Sequence, residues 1–295
     1  MKKLLFALFL TTNFCNAQDT LKVEELNRSF SLGNKNAFVI EIPQADLKKV
    51  QSNWKTYLKK QNKRTITDKN GEITLSKGPI QTVSADSITV FSTLNAGEIK
   101  VKLSVFLMMS DSSFLSSEKN SEAASAASRL LRTFGINEYK NAVNDELLEE
   151  QNKLSTLQKK VTLLDEENED IRKEIKDNER AIDRKKDEIK SNEQEQELKS
   201  NSIFEQKKRL NNYVGSDDQK SKEQKQLKQL EKEKSKLQDN KDSLLKKIDD
   251  LESENRANEK KIALNTDEKI PEAQKLVDQQ KEVVKNVETK MNNIK

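Results

Sequence analysis

The chain has no histidine, and its single cysteine, Cys15, lies near the start. Everything downstream of that position therefore lacks imidazole bases, thiolate nucleophiles, disulfides and the usual zinc ligands, which removes most common catalytic and metal constellations. Glycine and proline are scarce, six and three in 295 residues. Few positions can break a helix, and no glycine-rich phosphate loop is formed. Past the first ten residues no apolar run approaches the ~20 residues of a membrane span. A dominant charge is missing too: 54 Lys and Arg stand against 50 Asp and Glu, for a formal net +4. A balance so close to neutral does not call for nucleic acid as a partner.

What the chain has instead is a seven-residue repeat over more than half its length. Leu147, Leu154, Val161, Ile175, Ile182, Ile189, Ile203 and Leu210 fall at one position, a, and Val143, Leu157, Leu164, Ile171 and Tyr213 at d, three residues on. This 3-4 spacing draws helices into a left-handed supercoil. No Gly or Pro falls between Ile136 and Val214, and the first break is Gly215-Ser216-Asp217-Asp218. After it the repeat resumes with Leu227, Ile248 and Ile262 at a and Leu230, Leu237, Leu244 and Leu251 at d.

Folding the chain back at that break gives one register that matches Ile203 to Leu230, Ile189 to Leu244, Ile182 to Leu251 and Ile171 to Ile262. The same register faces Asn178 with Asn255 and Asn168 with Asn265, where paired amides satisfy each other and penalise slippage. Nearer the bend it sets Lys199 against Lys234 and Asn192 against Lys241. A segment with such seams would be looser than the rest. Thr266-Asp267-Glu268-Lys269-Ile270-Pro271 reads as a fresh helix start that kinks or interrupts the return arm. Beyond it Ile270, Val277, Val284 and Met291 take a, and the register slips by one residue. The expectation is an antiparallel coiled-coil hairpin over 136–295. Its arm is 137–214, its bend 215–218, and its return arm 219–295 is interrupted near 265–271.

At the other end, Lys2-Lys3, the run Leu4 to Leu10 and Asn16-Ala17 read as a secretory signal, residues 1–17, cleaved after Ala17. Lipidation at Cys15 is disfavoured by Phe14 before it. Loss of Lys2 and Lys3 takes the formal charge from +4 to +2. The expected location is periplasmic or secreted.

Between these parts, residues 18–135 read as an α+β head, an antiparallel sheet with two helices. Residues 18 to 32 show no clear period. Ala37 to Ile42 alternates as a strand, and Gln44 to Lys60 is an amphipathic helix with Leu47, Val50, Trp54 and Leu58 on one face. Asn70-Gly71 marks a tight hairpin between Thr65–Asp68 and Glu72–Ser76. Asp86–Leu94 and Glu98–Met109 are the strongest strands, the second with Ile99, Val101, Leu103, Val105 and Leu107 toward a core and Lys100, Lys102 and Ser104 toward water. A helix with Ala123, Ala127, Leu130 and Phe134 on one stripe is expected to end at Gly135, and the helical arms to add little to the head's core.

The order of a signal, Phe38-Val39-Ile40-Glu41-Ile42-Pro43, the Trp54-Lys55-x-Tyr57-Leu58 helix, Phe114-Leu115-Ser116-Ser117 before an alanine-rich helix, and a charged repeat ending near Val283-Val284-x-x-Val287 resembles an uncharacterised family of exported bacterial proteins. The resemblance implies this architecture and brings no activity with it.

Residues that could carry chemistry each have a plainer explanation. Asp165-Glu166-Glu167-Asn168-Glu169-Asp170 lies on a continuous heptad without the glycine-bearing loop of a calcium hand, so it reads as a solvated helix face. Asp217-Asp218 reads as a helix start, and Trp54 as core, with Tyr57 open between core and contact. Lys159-Lys160, Lys185-Lys186 and Lys207-Lys208 are interleaved with acids and read as a coiled-coil exterior. Asp86 and Asp111 have no partner residues for hydrolysis. No catalytic, cofactor-binding or metal residue is assigned, and no cofactor is expected. The expected function is that of an exported, non-catalytic interaction protein, a cell-envelope scaffold or spacer with protein partners and possible homo-oligomerisation. The alternative is a periplasmic holdase-like chaperone with helical arms.

Overall fold

A computed structural model describes residues 21–295, which divide into two compact units. The expected signal, residues 1–17, lies outside the described residues. The first unit runs through Leu154 and takes in Gln280–Lys295; the second is Ser155–Gln279.

In the first unit six strands form one sheet: β1 (Val23–Phe30), β2 (Gly33–Pro43), β3 (Ile66–Lys69), β4 (Glu72–Ile80), β5 (Ser84–Ala96) and β6 (Lys100–Met108). Their order is β1-β2-β6-β5-β4-β3 with every neighbouring pair antiparallel. Five strands are expected from the sequence; β1 is the sixth. The β3–β4 hairpin turns on Asn70 and Gly71, both at positive φ (52° and 77°), the conformation a two-residue turn of this kind needs.

Helix α1 (Leu47–Gln61) starts at Asp46, whose carboxylate accepts the Lys49 N–H at 2.8 Å, and Lys59 and Lys60 complement its last turn. It presses Val50, Trp54 and Leu58 onto one sheet face beside Phe38, Ile40, Ile42, Ile73, Leu75, Val90 and Leu103. Each such side chain contributes about 1.5–3 kcal/mol on full burial. The buried Trp54 ring donates its Nε1–H to Ser92 Oγ at 2.9 Å, so its one polar group is satisfied inside the core.

Helix α2 (Ser121–Asn211) does not end at Gly135. A Cβ at Gly135 would lie 2.3 Å from Ile40 Cδ1, so this glycine serves the close approach of helix to sheet. A second correction concerns the core. Tyr139 and Val143 of α2, and Val287 and Ile294 from the end of the chain, belong to the same buried cluster as Trp54 and Ile40. The heptad residues at both ends of the repeat are thus head residues.

In the second unit α2 continues to Asn211, and α3 (Asp217–Leu264) begins after Ser216 with Asp217 and Asp218 in its first turn. Asn265–Lys269 is one π-helical turn, followed by α4 (Ile270–Asn293). The backbone thus stays helical, with one widened turn, where a kink or an interruption is expected. The Ile270 N–H bonds the Asn265 carbonyl, a five-residue step that widens the helix just before Pro271, which has no N–H to give. From Asn168 to Asn265 the buried residues are Asn168, Ile171, Ile182, Asn192, Ile203, Gln206, Leu244, Ile248 and Asn265, all at a or d.

Candidate interaction surface

No His/Cys/Asp/Glu group that could hold a metal is found among the described residues. The acidic run 165–170 is spread by its helix. Glu169 and Asp170 pair locally with Arg172 and Lys173, while Asn168 and Glu167 reach Asn265 at 3.0 and 2.9 Å, and Glu167 also meets Lys261 at 2.8 Å. The hydrogen bonds from Lys261 and Asn265 hold the Glu167 carboxyl below the usual range. Asp111 accepts the Ser113 N–H at 2.9 Å, and its carboxyl is lowered by Ser113. Asp86 is an exposed residue of β5, and Lys207 pairs with Glu231 at 2.9 Å. Trp54 is core. Tyr57 is partly buried, stacked on Trp54 at 5.7 Å and tilted on Phe134 at 5.3 Å, and burial pushes its phenol up.

Polar contacts of α2 with α3 and with the π turn after it recur along the second unit. Asn178 donates to Asn255 at 3.0 Å, Asn265 to Asn168 at 3.0 Å, and Asn192 to the Leu237 carbonyl at 3.0 Å. Gln206 bonds the Glu223 carbonyl at 3.2 Å. Lys199, expected opposite Lys234, turns its ammonium to Glu233 at 2.7 Å, and Lys241, expected opposite Asn192, turns its own to Glu193 at 2.7 Å. The physical reason is the reach of a lysine stem, which carries the ammonium out of the seam to a carboxylate beside it. The Lys199 hydrogen bond lowers Glu233, and Lys199 itself is raised. Leu198, Phe204 and Val214 are exposed near the bend.

Sequence reasoning missed two features of the head. The first is Glu138, 6% exposed, whose carboxylate accepts from Asn53 Nδ2 at 2.9 and 3.2 Å and from Asn141 Nδ2 at 3.4 Å. Burial pushes its carboxyl up, and the amide hydrogen bonds offset this only in part. It sits one helical turn past Phe134, on the helix that was expected to have ended. The second is the other face of the sheet, expected to be wet. Its Lys100 and Lys102 do ion-pair with Glu41 there. At the opposite end Phe106 stacks on Phe30 at 4.1 Å, with Phe91 and Phe114 at 5.2 and 5.7 Å from Phe30. Ala37, Val39 and Leu26 complete this second apolar cluster. Its signal in the sequence is the alternation Ser104, Phe106, Met108 on one side of β6.

This face leads to the sheet's longer edge. β1 pairs with β2 over eight residues without a bulge, and its far side meets no strand among the described residues. The opposite edge, β3, has four residues. These surfaces present a strand edge that no described strand covers, an aromatic cluster on one sheet face and helices bearing both charges.

Comparison of the chain with protein-family models, with curated proteins and with solved structures finds no match. No helix among the described residues is long and apolar enough to cross a membrane.

Proposed function

We propose that the chain is an exported, non-catalytic interaction protein, a scaffold or spacer of the cell envelope, in which α2 pairs with α3 and α4 as an antiparallel coiled-coil hairpin. The observation that carries this reading is the amide ladder. Asn168 with Asn265 and Asn178 with Asn255 join residues whose numbers fall on one helix as they rise on the other. Polar seam residues of this kind cost stability and fix register, which is what a protein that sets a distance needs. The heptad frame also accounts for the π turn. A π turn adds one residue, and the a position that would fall on Lys269 resumes at Ile270.

The expected export rests on Lys2-Lys3 and the apolar run after them. One observation favours the second reading, a holdase-like chaperone: exposed Leu198, Phe204 and Val214 give the bend region apolar surface. Two measurements test the proposal. Cysteines at Ile182 and Leu251 crosslink within one monomer if the helices form a hairpin; crosslinks formed only between chains sink it. A photocrosslinker at Phe204 in intact cells, read with the oligomeric mass of the purified protein, captures one folded partner if the scaffold reading holds. Capture of many unfolded clients favours the chaperone. Turnover of a cell-wall or peptide substrate by the purified chain would end the non-catalytic reading.

A further inference from the structure

The edge strand β1 carries a self-complementary pattern. Phe30 and Gly33 close a two-residue connection, so they are a hydrogen-bonded pair, and the same alternation turns the N–H and C=O groups of Arg28, Leu26 and Glu24 toward β2. The groups of Val23, Glu25, Asn27 and Ser29 therefore point outward, and no backbone partner meets them among the described residues. On the sheet face that bears the phenylalanine cluster, β1 presents Glu24, Leu26 and Arg28 in line. Glu24 and Arg28 are exposed and have no ion-pair partner among the described residues. Leu26 is partly buried against Val39 and Ala37.

We propose that β1 is a homodimerisation edge, on which a second copy of this chain adds its own β1 antiparallel and extends the sheet across a two-fold axis at Leu26. A two-fold axis normal to a sheet keeps each face on its own side, so only residues of like parity can oppose one another. Centring on Leu26 sets Leu26 against Leu26 of the second copy. It also sets Glu24 against Arg28 on one side of the axis and Arg28 against Glu24 on the other. These are non-hydrogen-bonded pairs, in which side chains approach most closely, while Glu25 and Asn27 exchange the backbone bonds. The two neighbouring registers lose both ion pairs: centring on Asn27 opposes Leu26 to Arg28 and Glu24 to Phe30, and centring on Glu25 opposes Leu26 to Glu24 and Arg28 to Lys22.

Glu25 does not compete. Its carboxylate lies on the helix-covered face, where it accepts from Ser117 N–H at 2.9 Å and Asn36 Nδ2 at 2.8 Å. The surface is small and flanked by exposed charges, so the dimer is concentration-dependent and weakened by salt. A single unbroken edge with opposite charges at equal distances from an apolar residue fits a copy of itself better than an arbitrary extended peptide.

The test is sedimentation velocity of the purified chain across a wide concentration range. The expected result is a monomer–dimer equilibrium, weakened about tenfold by Arg28→Glu, which places like charges across both sides of the axis. The double exchange Glu24→Arg with Arg28→Glu restores the original association, and circular dichroism shows the variants folded. In a Cys15→Ser background, Leu26→Cys forms a covalent dimer under mild oxidation, because opposed residues of such a pair lie within disulfide reach; Asn27→Cys does not. A chain that stays monomeric throughout, including one that instead binds an extended peptide along β1, overturns the proposal. So does a dimer indifferent to Arg28→Glu, or one crosslinked by Asn27→Cys. The inference does not rest on the spacer reading, which the crosslink between positions 182 and 251 tests separately.

Discussion

If the end of the chain is part of the head, trimming it must destabilise the head. Val287 and Ile294 are 3% and 4% exposed and lie in the cluster that contains Trp54 and Val143. Val287→Ala removes two buried carbons and Ile294→Ala three. At about 0.8 kcal/mol for each buried methylene, the losses are roughly 1.5 and 2.5 kcal/mol before any cavity cost. Ile294 follows α4 and is held by its N–H to the Met291 carbonyl, so its site can partly collapse and its cost falls toward the low end of the about 2–5 kcal/mol seen for Ile→Ala. The double variant should lose about 3–4 kcal/mol. For a unit of this size that lowers its midpoint by roughly 6–16 °C, at about 2–4 °C per kcal/mol. Trp54 is the only tryptophan and is fully buried in the head, so its fluorescence in a urea titration reports the head alone. Far-UV circular dichroism reports mainly the long helices. Glu288→Ala, an exposed neighbour on the same helix, is the control and should stay within about 0.5 kcal/mol. A double variant whose Trp54 transition coincides with that of the control would refute the assignment of these residues to the head.

Two further outcomes follow from buried groups on α2. Glu138 has its carboxyl raised by burial in the folded state. The folded state therefore binds this proton more tightly than the unfolded one, and the group costs nothing below the ordinary carboxyl value. It costs increasingly as pH rises through the window up to its folded value, and the full penalty applies above it. Glu138→Gln should gain about 1 kcal/mol over the parent near pH 8, with the gain shrinking toward pH 4, in Trp54-monitored titrations; a gain independent of pH counts against this account. Gly135→Ala should lose about 1–2 kcal/mol despite the better helix propensity of alanine, because its Cβ meets Ile40 Cδ1. Ile40→Val should rescue part of that loss, and additivity of the two changes would exclude the clash.

The parts of the fold that could be read from the sequence are those whose signal is local. The break between α2 and α3 is an example, since Gly215 is the only Gly or Pro between Ile136 and Ile270 and, with Ser216, supplies the start of α3. So is the Asn70-Gly71 turn. β1 escaped because Val23-Glu24-Glu25-Leu26-Asn27-Arg28-Ser29-Phe30 has no clean alternation; it is a strand because β2 offers eight partners, and that pairing cannot be seen in the segment itself. Gly135 followed by Asn137 has the form of a helix stop and restart. What decides its role is the Ile40 side chain nearly a hundred residues earlier, which no local rule reaches. Glu138 was invisible for the same reason, since a carboxylate in a charged sequence becomes notable only once Asn53 and Asn141 are seen around it.

The π turn shows how local signals can name the right place without naming the form the irregularity takes. Thr266, Asp267 and Pro271 have the chemistry of a helix N-terminus, yet the carbonyl of Asn265 is used by a helix already running. A new helix would have left the groups of the preceding turn to be capped, whereas Asn265 is fully buried and its amide is taken up by Asn168 and Glu167. Widening the turn meets both demands, because it gives Pro271 room without an N–H and keeps Asn265 bonded to Asn168 and Glu167. It also turns the following residues by the roughly 100° that one extra residue adds, and with that phase Ala273 and Val277 come to be buried, 1% and 3% exposed. A single inserted residue anywhere else on this arm would turn apolar positions out to water. At this point the insertion keeps them in, and that is why the sequence slips its heptad here and holds it elsewhere.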